Sequence, residues 1–200
     1  MIGRKKMTRT ISLSGSGVGA AADAALAALS EPGAVILVPT ETVYGLVCRA
    51  DDAAAVRRIY DLKVRSDSKP LGWFVADWRC LSRFGVRLEG LPAELAAKHC
   101  PGPITIIAPR TDGTTVGFRI PDHPFVLELL RRIGCPLAQT SANRSGCPNV
   151  LTVEEALAEL SGELSLAVDG GPIQPGALAS TVVDATGSAP RILRQGALRL

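Results

Sequence analysis

Short apolar runs alternate with helical patterns along most of this chain. Ala34 to Val38 is a continuous apolar run after a Pro32-Gly33 turn and reads as a buried strand; Leu71 to Val75 reads as another. Ala20 to Leu29 is Ala/Leu-rich and helical. Asp51 or Asp52 can cap a second helix that carries Val56, Ile59 and Tyr60 on one face. A third helix spans Leu91 to His99, with Pro92 in its first turn. The pattern then changes. Ile104 to Ala108 and Thr115 to Ile120 flank a polar stretch containing Asp112-Gly113, which predicts an antiparallel hairpin. Phe125 to Ile133 is a helix between Pro124 and Gly134, and Leu137 begins a short strand. Thr152 and Glu155 form a capping box for a helix to Leu160. Leu166 to Asp169, Thr181 to Asp184 and Arg191 to Leu193 are late strands. About seven strands and five helices, with no linker and no repeat, predict a single α/β domain. Crossovers mixed with a hairpin predict an open, twisted, mixed β-sheet flanked by helices.

Charge changes this picture only locally. The 200 residues carry 22 Lys and Arg against 19 Asp and Glu, a net +3. Arg4, Lys5, Lys6 and Arg9 account for the excess; without these four, acids outnumber bases by one. The expected division is a flexible basic tail over residues 1–18 and a domain over 19–200. Serines and glycines interrupt the apolar residues after the tail, so it does not read as an export signal. No run reaches the ~18 apolar residues that a membrane span needs. Five cysteines at wide spacings, without a CxxC pair, imply neither a disulfide framework nor a zinc site. A reduced, cytoplasmic setting is the simplest reading.

Several familiar sites are absent: GxxxxGK[ST], a strand-linked GxGxxG, HExxH and GxSxG. What remains is polar clusters at strand ends, where open α/β sheets bind ligands. Pro39-Thr-Glu-Thr-Val-Tyr-Gly-Leu46 reads as a hydroxyl-bearing site or as a turn whose threonines satisfy the backbone. Lys63, Arg65 and Lys69 crowd into seven residues, as a solvated charge run or as a polyphosphate clamp. Arg119 interrupts an apolar strand, so it must face solvent, pair with an acid or bind an anion. Thr140 to Gly146 can offer backbone N–H groups to phosphate or simply form a loop. Ser180 opens a strand and Arg194 closes one.

Taken together, these clusters closely resemble the YrdC-like family of threonylcarbamoyl-AMP synthases, over Ala34 to Gly196. The carrying motifs are Pro39 to Leu46, Lys63-x-Arg65 with Lys69-Pro-Leu71, Pro101-Gly-Pro-Ile-Thr105, Arg119-Ile-Pro121, Ser141-Ala-Asn143, Ser180 to Asp184 and Arg194-x-Gly196. The resemblance is to the short, single-domain form. It implies a concave, positive cleft. It also implies a reaction: L-threonine, bicarbonate or CO2 and ATP give threonylcarbamoyl-AMP and pyrophosphate, for threonylcarbamoyladenosine in tRNA. Separate proteins would perform the transfer step, and contact with tRNA or other RNA is compatible with it.

By matching position, the resemblance implies that Thr42, Arg119 and Ser180 bind threonine. Arg65, Lys69, Thr115, Ser141, Asn149 and Arg194 would bind ATP. Lys63, Arg65, Ser141 and Asn143 would form the catalytic set facing phosphate. Mg2+ is expected on the ATP phosphates, with no protein ligand assigned. Phe74, Cys100 and Gln139-Thr140 depart from the family pattern, chiefly around the threonine pocket. Two other readings compete: a non-catalytic relative binding double-stranded RNA or tRNA, and an O-carbamoyl transferase-like module. The near-neutral body weighs against the first.

Overall fold

Ten strands join one sheet in a computed structural model that describes residues 8–64, 70–144 and 146–200. In chain order they are β1 (Thr10–Ser12), β2 (Ile36–Val38), β3 (Gly45–Arg49), β4 (Gly72–Phe74), β5 (Ile104–Pro109), β6 (Thr115–Arg119), β7 (Leu137–Ser141), β8 (Leu166–Asp169), β9 (Thr181–Asp184) and β10 (Arg191–Arg194). The helices are α1 (Leu13–Leu29), α2 (Ala53–Lys63), α3 (Leu91–His99), α4 (Pro124–Ile133) and α5 (Val153–Glu159), with a 3₁₀ helix over Trp78–Phe84. The spatial order is β1-β8-β2-β3-β7-β4-β6-β5-β9-β10. β1/β8, β2/β8, β4/β6 and β5/β9 are parallel pairs; the others are antiparallel, so the sheet is mixed as expected.

Local signals set most elements. Asp52, not Asp51, caps α2 by accepting from Ala55 N at 2.9 Å, and its other oxygen accepts from Gly33 N at 2.7 Å. Thr152 caps α5 by accepting from Glu155 N. The returning Glu155 carboxylate takes Leu151 N at 2.7 Å in place of the N-cap's own N–H. β5 and β6 form the predicted hairpin, with Ile106 opposite Phe118.

Three features differ from the sequence reading. β3 was not expected, because its start coincides with a polar motif; it pairs with both β2 and β7. The 3₁₀ helix was not expected either. The third difference concerns the supposed tail. Residues 10–12 form β1, in register with Ala167 to Asp169, and Ile11 and Leu13 pack on the core under α1 and α4. The boundary therefore does not fall at residue 18, since burial of these side chains fixes the chain before it.

Strand alternation assigns the two faces. Tyr44, Leu46 and Ala138 point toward α2 and α5. On the same side, Ile104, Ile106 and Phe118 join Leu95 and Ala96 of α3 and Leu81 of the 3₁₀ helix. Trp73, opposite both Ala138 and Phe118, packs against both groups. On the other side, Val47, Phe74 and Leu137 meet α1 and α4 through Ala21, Ala25, Phe125 and Leu129. Burying Phe74 and Phe125 there stabilises the fold by about 1.5–3 kcal/mol each. These two helices cover only part of that face. The part left bare carries Gly45, Gly72, Gly117, Gln139, Ser141 and Arg119.

Candidate active site

The bare part of the sheet is a cleft of about 260 Å³, continuous through Ser141, Ala179 and Arg194 with a second hollow of about 460 Å³. Lys63, Asn143 and Asn149 border the second hollow. Glycines pave the first. A Cβ on Gly72 would lie 2.7 Å from Gln139 Nε2, and one on Gly117 would lie 3.2 Å from Thr105 Cγ2. The floor stays low because these positions carry no side chain.

Arg119 resolves the three-way choice posed by its place in an apolar strand. It is only 4% exposed, yet it borders the first hollow. Its Nε donates to the Gly102 carbonyl at 3.2 Å, and its Nη2 donates to Thr42 Oγ1 at 2.9 Å. Nη2 also lies 2.8 Å from Glu41 Oε1. The Phe74 ring lies 5.8 Å from the guanidinium carbon. Nη1 makes no hydrogen bond to a described residue.

The loop that supplies Glu41 and Thr42 is held by one hydroxyl. Thr40 Oγ1 accepts from Thr42 N and Val43 N, each at 3.1 Å, and donates to the Val43 carbonyl at 2.6 Å. Thr42 Oγ1 lies 3.0 Å from it, so the hydroxyls continue the line that starts at Arg119. Tyr44 anchors the far end by donating to the Gly171 carbonyl at 2.7 Å and accepting from Gly170 N at 3.1 Å. Burial pushes its phenol up to about 12, so it stays protonated and acts as a strut.

Ser180 sits on the opposite wall. Its Oγ lies 2.8 Å from Thr105 Oγ1. Arg194 donates to the Ser180 carbonyl through Nε at 3.1 Å and Nη2 at 2.8 Å, and Nη2 is 3.3 Å from Ser180 Oγ. Burial lowers the Arg194 pKa, and the nearby Arg119 charge lowers it further. The two guanidiniums thus feel one another across the cleft.

Lys63 is the last residue of α2, where a cation suits the helix dipole. It is 2% exposed, and its Nζ donates to the Ser141 carbonyl and to Thr140 Oγ1 at 3.3 Å. Asn143 Nδ2 donates to the Cys147 carbonyl at 2.6 Å and the Arg144 carbonyl at 3.1 Å, while its buried Oδ1 has no partner among the described residues. Asn149 Nδ2 donates to the Ala177 carbonyl at 3.3 Å.

Of the residues expected from sequence, Arg119, Ser180, Ser141 and Arg194 therefore share the cleft, with Lys63, Asn143 and Asn149 around its second part. Thr115 lies in the first hollow, beside the amino-acid candidates rather than beside Asn149. Thr42 is not on the lining and reaches the cleft through Arg119. Arg65 and Lys69 lie outside the described residues. Glu41, Thr105 and Gln139 are additional. Thr105 and Gln139 stand on the open face by strand alternation; Thr105 and Glu41 also lie within motifs that carry the family resemblance, without an assigned role. Cys100 flanks Arg119, but burial pushes its thiol up to about 11, so it is no nucleophile at neutral pH.

A mixed, twisted sheet with part of one face uncovered, and a cleft there lined by guanidinium, hydroxyl and amide groups, defines the class: an open α/β fold with a polar cleft on its sheet. The Sua5/YciO/YrdC family model, described as telomere recombination, matches residues 28–196, and the chain belongs to this family. It is 42% identical to the threonylcarbamoyl-AMP synthase of Mus musculus, over 76% of this chain and 58% of that protein. It is 41% identical to the synthase of Homo sapiens, over 88% of this chain and 71% of that protein. The crystal structure of Pyrococcus abyssi Sua5 complexed with L-threonine superposes with a TM-score of 0.79 at 30% identity. That match covers 96% of this chain and 58% of the other. The chain thus spans little more than half of the mouse and Pyrococcus proteins. No helix among the described residues is long and apolar enough to cross a membrane.

Proposed function

We propose that the chain makes threonylcarbamoyl-AMP and pyrophosphate from L-threonine, CO2 or bicarbonate and ATP, as a nucleotidyltransferase. The observation that carries this reading is the shared border: Ser141 and Arg194 face both hollows. An amino acid and a nucleotide bound in them would meet where the new bond must form. The threonine-bound relative and the named synthases support the same assignment.

The chemistry asks for little beyond placement and charge. The threonine amine adds to CO2 without a protein nucleophile. One carbamate oxygen then attacks the α-phosphorus, and pyrophosphate leaves with the bonding electrons. Arg119, whose Nη1 bonds to no described residue, takes the threonine carboxylate. Ser180 and Thr42 steady that end, Ser180 directly and Thr42 by fixing Arg119. Arg194, Lys63 and Ser141 offset charge on the phosphates, and Asn143 and Asn149 hold the loop against them. Arg65, Lys69 and Thr115 join the ATP contacts in this reading. Such preorganised donors act mainly by positioning and electrostatic stabilisation.

Magnesium would arrive on the triphosphate. The lining groups are hydroxyl, amide and cationic, which suits phosphate oxygens, and the ion's remaining sites suit water. Separate proteins would then carry the threonylcarbamoyl group to tRNA.

Pyrophosphate release from ATP, measured with and without L-threonine and bicarbonate and with mass detection of the adenylate, tests the reading. Release that depends on both co-substrates is expected. Release indifferent to threonine overturns it.

A further inference from the structure

Two guanidiniums share this cleft, but their surroundings differ. Arg194 has no carboxylate within ion-pair distance among the described residues; its hydrogen bonds all go to Ser180. Arg119 has Glu41 at 2.8 Å. The Glu41 side chain is 19% exposed, although its backbone lies on the surface. The carboxylate is therefore folded back from the loop onto the buried cation. The Thr40-held turn fixes that loop at both ends of the residue.

We infer that Glu41 is a positioning residue that sorts the two anionic substrate groups, an inference resting on the function proposed above. It does so in two ways. It locks Nη2, so that Nη1 is the edge Arg119 presents. It also half-cancels the Arg119 charge. A triphosphate carries several negative charges and is drawn to any bare guanidinium in the cleft. Next to Glu41 it meets repulsion, whereas a single carboxylate still gains a charge-assisted hydrogen bond from Nη1. Phosphate is left to the Arg194 side. No sequence neighbour of Arg119 supplies this counter-charge; it comes from a loop 78 positions away.

Glu41→Gln keeps the shape and removes the charge, and Glu41→Asp keeps the charge on a shorter arm. Two readouts separate this inference from the reading beneath it. The first is steady-state pyrophosphate release with threonine and ATP varied in turn. Glu41→Gln is expected to raise the threonine KM roughly tenfold. It should leave the ATP KM within about twofold and make excess ATP inhibit competitively against threonine; Glu41→Asp should restore part of the loss. The second is calorimetric binding of L-threonine and of inorganic tripolyphosphate to each folded chain, which needs no turnover. Glu41→Gln should weaken threonine and tighten tripolyphosphate. An unchanged threonine affinity, or equal losses for both ligands, overturns the inference. A parent chain that binds threonine but releases no threonine-dependent pyrophosphate overturns the proposed function alone. A parent chain that binds no threonine overturns both. If Glu41→Gln does not fold, Glu41→Asp carries the test, with a smaller rise in threonine KM expected and no change refuting it.

Discussion

Arg194→Ala removes the guanidinium that stands where the two hollows join. Two losses follow, and the structure separates them. The first is structural: three contacts to Ser180 disappear, two to its carbonyl and a longer one to its hydroxyl. Arg194 lies on the exposed sheet-edge strand β10, so this costs about 1–2 kcal/mol in total. For a domain of this size, that lowers Tm by roughly 2–8 °C. Ser180 keeps its bond to Thr105, so the opposite wall stays in place. The second loss is functional. A charge-assisted contact to phosphate is worth about 1.5–3 kcal/mol, or roughly 10- to 150-fold in kcat/KM for ATP. Arg194→Lys keeps the charge but not the fork and should fall between parent and alanine variant. The assay is pyrophosphate release at a temperature well below both melting points, with ATP and threonine varied separately. An unchanged kcat/KM for ATP in Arg194→Ala, or a defect confined to threonine, refutes the assignment.

Three further outcomes are expected. Lys63→Ala should cut threonine-dependent pyrophosphate release by roughly 10- to 150-fold, while circular dichroism of the folded chain stays like the parent's. Gly196→Ala would drive a Cβ into the Ala179 carbonyl oxygen and place it 2.5 Å from the Ser180 carbonyl carbon, both main-chain atoms with little room to move. It should cost roughly 1–3 kcal/mol, seen as a Tm fall of about 2–12 °C. Gly72→Ala should do less, because its nearest clash is the movable amide of Gln139. Asp184 is held down to about 2 by the Thr186 hydroxyl and backbone N–H and by Arg191. Its folded pKa lies below the unfolded value of about 3.9. Its contribution is therefore present at higher pH and is lost as pH falls through the folded value. Asp184→Asn should melt below the parent at pH 6, and the gap should close by about pH 2 in a pH series of melting curves.

Elements with their own punctuation were legible in the sequence. The third helix, α3, has the expected limits, and the Asp112-Gly113 hairpin pairs as expected. β1 was not legible, because three residues with two hydroxyls carry no strand signal until β8 lies beside them. β3 was hidden because its first residues belong to a polar motif. The site divides in the same way. Arg119 stood out as a lone cation in an apolar strand. Its counter-ion did not, since the pairing of Glu41 arises from a loop folding back across the sheet. The contact of Thr105 with Ser180 likewise joins residues 75 positions apart, a proximity that exists only once β5 and β9 lie side by side.

Arg194, one of the residues where the two hollows meet, lies on β10, whose four residues are all exposed and which, among the described residues, has a neighbouring strand on one side only. Such a border strand opens at a lower free energy than the interior of a sheet. A nucleotide gripped by Arg194 would tie that border down, since any ligand that prefers the closed form stabilises it by mass action. Amide exchange along 191–194 should then slow as nucleotide saturates the protein, so that the substrate completes the rigidity of its own container.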